Sequence, residues 1–161
     1  MKISPETNPI IQILAPAAAS VTEASVQPIY LDNAAGVLIV IQHAGTDDND
    51  MTFTIHEGAT EAEALAGTYA SSATFPIWVN EATATSDELV RESSDAASYV
   101  LDSNGGGTYL LAIYVDAAKL TSGRDWVSLG FDAGHASNFV SAVAILDGVR
   151  YQQTTPPTAV A

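Results

Sequence analysis

A chain of 161 residues is about one domain long by the usual prior, and such a chain can bury roughly two-thirds of its unfolded surface. Nineteen acidic against five basic residues give a formal net charge of −14, which repels phosphate backbones and anionic headgroups and so disfavours nucleic acid and membrane partners. Cysteine is absent, removing disulfides, thiolate nucleophiles and cysteine-ligated zinc, and no apolar run reaches the about eighteen residues needed to span a bilayer.

Residues 1–24 mix Pro5, Pro9 and Pro16 with alanines and small polar residues around one apolar cluster, Ile10, Ile11, Ile13 and Leu14. They read as an N-terminal arm whose cluster pairs on a sheet edge or docks on another subunit. A signal peptide is disfavoured, since Lys2 alone supplies a basic start and Gln12 interrupts the apolar run. The first strand of the body is "VQPIYL", with Pro28 marking an edge.

"GVLIVIQHA" is apolar on both alternate faces, which predicts an interior strand covered on both sides, whereas "MTFTIHE" alternates Met51, Phe53 and Ile55 against Thr52, Thr54 and His56. The intervening "GTDDND" has turn composition and predicts a hairpin. "TEAEALAG" follows, with Thr60 as helix N-cap and Glu63 as its capping-box partner. "FPIWVN" reads as a strand and Glu81–Asp95 as a long connection in which "SDELVRE" forms a helical turn or a frayed strand. "SYVLD" and "GTYLLAIYVDA" flank Ser103, Asn104 and three glycines, again a hairpin chemistry. Trp126 to Asp132 and Phe139 to Leu146 read as an antiparallel pair joined by "AGHASN", and Asp147–Gly148 turns the chain into a last short segment through Tyr151. The sum is an all-β, antiparallel, jelly-roll-like sandwich with extended N- and C-terminal arms: arm 1–24, body 25–151, tail 152–161.

Chemical motifs are sparse. Asp47, Asp48 and Asp50 offer oxygen ligands, but the calcium-loop template counted from Asp48 puts Phe53 and Ala59 where glycine and glutamate belong, leaving a solvated turn. His43, His56 and His135 fall on three separate elements without metal-ligand spacing and read as solvent-facing or loop residues. No acid is embedded in an apolar pattern that would raise its pKa for glycoside hydrolysis, and no nucleophile elbow is present. The triglycine loop lacks the lysine and helix of a phosphate cradle. Trp78, Trp126 and six tyrosines could line a sugar platform, though core and strand-edge roles suit them better. The expectation is a protein without catalytic residues, metal or cofactor.

The segments "ILAPAAAS", "GVLIVIQHAGTDDNDMTFTIHEG", "GTYLLAIYVDAAKL" and "SAVAILDGVRYQQTTPP", in that order, resemble small head structural proteins of tailed bacteriophages, the capsid decoration or cement proteins. Residues 57–98 depart from that pattern. The resemblance implies a β-sandwich made in the host cytoplasm and placed on the outer surface of the virion, bound to the major capsid protein and often trimeric. A cement protein needs a rigid body and extended segments that cross neighbouring subunits, with strand addition at sheet edges. The candidate partner-binding residues are therefore Ile10, Ile11, Ile13 and Leu14 in the arm, and Tyr151, Pro156 and Pro157 near the C-terminus, where proline limits the freedom lost on docking. The alternatives are a head–tail joining or tail component, or a glycan-binding adhesion module displaying Gly105–Gly107 or the Tyr69–Trp78 region.

Overall fold

In a computed structural model, the protein is described over residues 8–18, 26–45, 50–81, 83–102, 107–132 and 138–148. Among these residues ten strands form: β1 Ile10–Ala18, β2 Ile29–Tyr30, β3 Gly36–Gly45, β4 Met51–Gly58, β5 Ile77–Asn80, β6 Val90–Arg91, β7 Ser98–Leu101, β8 Gly107–Asp116, β9 Trp126–Phe131 and β10 Phe139–Asp147. They build two antiparallel sheets, a large one in the order β1-β10-β3-β8-β5-β6 and a small one in the order β2-β9-β4-β7. Setting aside β5 and β6, which extend one edge, the order is that of a jelly roll: β1, β3, β8 and β10 lie opposite β2, β4, β7 and β9. The core fills the space between the sheets with Val37, Ile39, Ile41, Leu111, Ile113 and Val115 from one side and Met51, Phe53, Ile55, Val127 and Leu129 from the other.

The sandwich class is as expected, but the three hairpins are not. β3 and β4, β7 and β8, and β9 and β10 each lie in different sheets, so every predicted hairpin is a crossing between layers. The registers Gly45↔Gly107 and Phe139↔Ala44 in the large sheet, and Met51↔Leu101 and Phe53↔Phe131 in the small one, bring all six strand ends to one end of the sandwich. Turn residues report that the chain reverses; they do not report whether it returns about 5 Å away beside its predecessor or about 10 Å away in the facing sheet.

The N-terminal boundary also moves. β1 is an integral strand, paired with β10 from Ile10↔Ile145 to Ala18↔Phe139. Register shifts on both sides of Leu14 mark bulges, and there both Ile13 and Leu14 are buried, which plain alternation would forbid. Asn8 Nδ2 donates to the Leu146 carbonyl at 3.1 Å, and the Gln27 N–H donates to the Ile13 carbonyl at 2.8 Å, so β1 is held on both sides. Ile13 and Leu14 therefore belong to the core and are not available to a partner; Ile11 packs against the core, and of the four only Ile10, 53% exposed, faces out. Tyr151, Pro156 and Pro157 lie outside the described residues.

β3 buries one face, not two: Val37, Ile39 and Ile41 are buried while Leu38 and Val40 are half-buried and Gln42 is exposed. The short helix α1, Glu61–Leu65, has the expected cap, Thr60 Oγ1 accepting from the Glu63 N–H at 3.2 Å. Glu63 Oε2 accepts from the Ala59 N–H at 2.9 Å, one residue earlier than a regular capping box. Within Glu81–Asp95 the frayed-strand alternative holds, as the two residues of β6 pairing with Trp78 and Val79.

The placement of β1 is testable. Ile13→Ala is expected to cost about 2–5 kcal/mol of stability and Ile10→Ala about 0.5 kcal/mol or less, read from urea midpoints; equal small effects would return residues 10–18 to the status of a loose arm.

Candidate functional site

Charged residues are scarce in the described strands of both sheets, and the small sheet carries Glu57 alone. β1, β3 and β5 contain no Asp, Glu, Lys or Arg, and β8 and β10 contain only Asp116 and Asp147, each the last residue of its strand. Both of these are engaged. Asp116 Oδ1 accepts from the Ala118 N–H at 2.9 Å and caps a single 3₁₀ turn, Ala117–Lys119. Asp147 Oδ2 accepts from the Tyr114 hydroxyl at 3.0 Å; burial first, and then this bond, push the Tyr114 phenol up to about 12, so it remains a donor at neutral pH. The described cations are engaged too: Arg91, on the edge strand β6 of the same sheet, and Lys119 both pair with Asp95, and Arg124 lies 3.8 Å over the Tyr69 ring.

The registers turn this composition into rows across the outer face of the large sheet. One row runs Ile10, Ile145, Leu38, Tyr114 and the next Gln12, Val143, Val40, Ala112, Trp78, Arg91. The centre of this half of the face is apolar, with Gln12 and Arg91 at its two edges and Ile145, Leu38, Val143, Val40 and Trp78 half-buried by their neighbours alone. The next rows change character: Ser141, Gln42, Leu110, Asn80, then Phe139, Ala44, Thr108. Here the face sinks into a groove of about 590 Å³. Gln42, Leu110 and Ser141 form its floor, Phe139 and Pro16 stand on the β1 side, and the segment Thr83–Asp87 forms the opposite wall. The wall is fixed to the sheet: Asn80 Nδ2 donates to the Ser86 carbonyl at 2.8 Å, Thr83 Oγ1 donates to the Thr108 carbonyl at 2.7 Å, and the two threonine hydroxyls are in contact. Phe139 is 56% exposed, an unusual state for a phenylalanine.

The outer face of the small sheet is different. Thr52, Thr54 and Ser98 lie on it beside the exposed Val100 and Tyr30, and α1 and the segment that follows it cover part of it. His56 points to this face but is only 8% exposed, because its ring lies over Gly130, where a Cβ would come within 2.2 Å of it, and Ala70 bridges to it across the strand. The expectation of a solvent-facing His56 is thus overturned, as it is for His43, which is 3% exposed on the inner face of β3 with its ring 5.7 Å from that of Tyr109. His135 lies outside the described residues, as do Asp47, Asp48 and Gly105; Asp50 is described and exposed.

An interior acid was also missed. Glu57 is completely buried; its Oε2 accepts from the Thr121 N–H at 2.7 Å, while no partner is seen for Oε1. The signal was present, since Glu57 continues the inward series Met51, Phe53, Ile55 by two residues. Among the described residues no group of three or more His, Asp or Glu is placed to hold a metal ion, and no helix is long and apolar enough to cross a membrane. The stretch from Tyr69 to Trp78 does not form one sugar platform: Tyr69 packs under Arg124 beside β4, whereas Trp78 lies in the large sheet.

The chain matches no family model, no curated protein and no solved structure.

His43 gives a pH prediction. Neither ring nitrogen has a hydrogen-bond partner, and burial lowers its pKa below the ordinary 6.5, favouring the neutral ring in the folded state. Its folded-state pKa lies below the unfolded value, so stability is fully present above about pH 6.5 and declines as pH falls through the folded pKa. Urea midpoints of the parent should therefore drop between pH 7.5 and pH 5, above the ordinary carboxylate range, and the drop should shrink in His43→Leu; an unchanged slope in the variant would remove His43 as the cause.

Proposed function

We propose that the protein is a virion structural protein that decorates and stabilises the outer surface of a phage capsid by binding the major capsid protein, working as a homotrimer and catalysing no reaction. The observation that carries this reading is the apolar centre of the large sheet's outer face, formed by β1, β10 and β3 without a charged residue between Ile10 and Val40, in a chain with a net charge of −14. Charge depletion with aliphatic and aromatic residues at the centre is the composition of a protein-binding patch, and the acids elsewhere keep the body soluble and discourage contact by other faces. The rigid jelly-roll body supplies what a cement needs, a surface that does not lose entropy on docking. The sequence resemblance supplies the identity of the partner.

The docking face in this reading is centred on Val143, Val40 and Ile145, with Ile10 at its rim, rather than on a free arm around Ile13 and Leu14. A role for Tyr151, Pro156 and Pro157 in the same attachment remains part of the proposal. The alternative of a head–tail joining or tail component shares the docking face and differs in copy number, on the order of hundreds per particle for a cement and about a dozen or fewer for a joining ring.

Purified protein should co-sediment with expanded, undecorated heads and raise the temperature at which they rupture. Val143→Glu, which places a carboxylate in the middle of the apolar rows, is expected to abolish co-sedimentation by at least tenfold in affinity, about 1.4 kcal/mol, while leaving the circular dichroism spectrum unchanged. Parent protein that ignores heads at every concentration, or a Val143→Glu variant that binds as well as the parent, would remove the proposal.

A further inference from the structure

We infer that the groove at the Phe139 end of the large sheet is a binding site for a short neutral oligosaccharide. Its volume, about 590 Å³, falls in the range of about 300–1,000 Å³ that small-ligand sites occupy. Its lining alternates two kinds of group. Leu110 on the floor and the exposed ring of Phe139 at the side offer apolar surface, while the Gln42 amide and the hydroxyls of Ser141 and Thr108 offer uncharged hydrogen-bonding groups between them.

A pyranose ring presents the complementary surface, C–H groups on its faces and hydroxyls around its rim that both donate and accept. Hydroxyl and carboxamide side chains can likewise do both, which suits a ligand whose hydroxyl protons rotate. Other ligand classes fit less well. An anion would meet Asp87 on the wall and the field of a chain carrying −14, with no Lys or Arg among the described lining residues. A metal cation would find a single carboxylate among them. A purely apolar ligand would desolvate the Gln42 amide, whose oxygen accepts only a long bond of 3.5 Å from the Ser141 hydroxyl.

The site is also preorganised. The Asn80–Ser86 and Thr83–Thr108 bonds tie the wall to β5 and β8, so little ordering is left for the ligand to impose. Phe139 explains itself in this way: a phenylalanine ring left 56% exposed at the first position of β10, beside the hydroxyl-bearing floor, is a platform against which a sugar face can pack. The inference uses different rows of the sheet from the docking face and stands or falls without it.

The test is a two-dimensional amide NMR titration of the isotope-labelled full chain with maltohexaose, cellohexaose and mannohexaose, and with trigalacturonate as an anionic control. At least one neutral hexasaccharide should give saturable shifts at the amides of Gln42, Leu110 and Ser141, and trigalacturonate should give none. Phe139→Ala should weaken that binding at least tenfold, whereas Thr52→Ala on the opposite sheet should leave it unchanged. Silence with all three neutral probes at millimolar concentration, shifts that map away from the groove, equal response to the anion, or Phe139→Ala binding as well as the parent would each overturn the inference.

Discussion

Burial of two apolar sheet faces against each other is the constraint on which the molecule depends. With no disulfide and little helix, stability rests on the meeting of Val37, Ile39, Ile41, Leu111 and Ile113 with Met51, Phe53, Ile55, Val127 and Leu129. Neither sheet can bury its inner face alone, so the chain must supply strands to both. It does so by crossing repeatedly at one end, which is why the three segments with the composition of hairpin loops connect layers instead of neighbours. The bulged β1 completes the large sheet, and its bulges allow two successive large aliphatics, Ile13 and Leu14, to enter the same core.

That core constraint explains the inward face of each sheet but leaves the outward faces free, and there the two sheets diverge. The small sheet mixes Thr52, Thr54 and Ser98 outward with Val100 and Tyr30. The large sheet carries isoleucine, valine, leucine and tryptophan outward in adjoining rows, with its charges, Asp116, Asp147 and Arg91, at strand ends and on the edge strand, although acids outnumber bases nearly four to one in the chain. Stability of the monomer gives no reason for this, and the shift from apolar rows to amide and hydroxyl rows toward the Phe139 end divides the face into two regions of different chemistry.

Of the buried polar groups, Glu57 lies apart from both regions, whereas His43 borders the groove. His43 and Glu57 point inward from β3 and β4, each with at least one side-chain atom for which no partner is seen, and both therefore weaken the core relative to apolar side chains of the same size. Tyr114 and Tyr99 show the opposite case. Burial and neighbouring carboxylates raise both phenols, Glu92 and Glu81 in the case of Tyr99, so each stays protonated and serves as a donor that satisfies an acid.

Much of the local structure was legible in the sequence. The strands, the edge position of β2 before which Pro28 stands, the Thr60–Glu63 cap and the alternation of Met51, Phe53 and Ile55 follow from propensity and period, which act over a few residues and are written in order along the chain. Reading the same alternation two positions further would have placed Glu57 inside. The apolar rows and the groove were not legible, because Val143 and Val40, or Leu110 and Asn80, become neighbours only when strands far apart in sequence pair. The apolar double face of "GVLIVIQHA" shows the limit: sequence established that both sides of the strand are apolar, but not that only one would be covered. By itself the sequence determined a negatively charged all-β body. The tertiary structure alone decided which strands share a sheet, that residues 10–18 are core rather than arm, and which outward faces meet, since strand pairing is a contact between distant residues and period-two patterning is identical in either sheet.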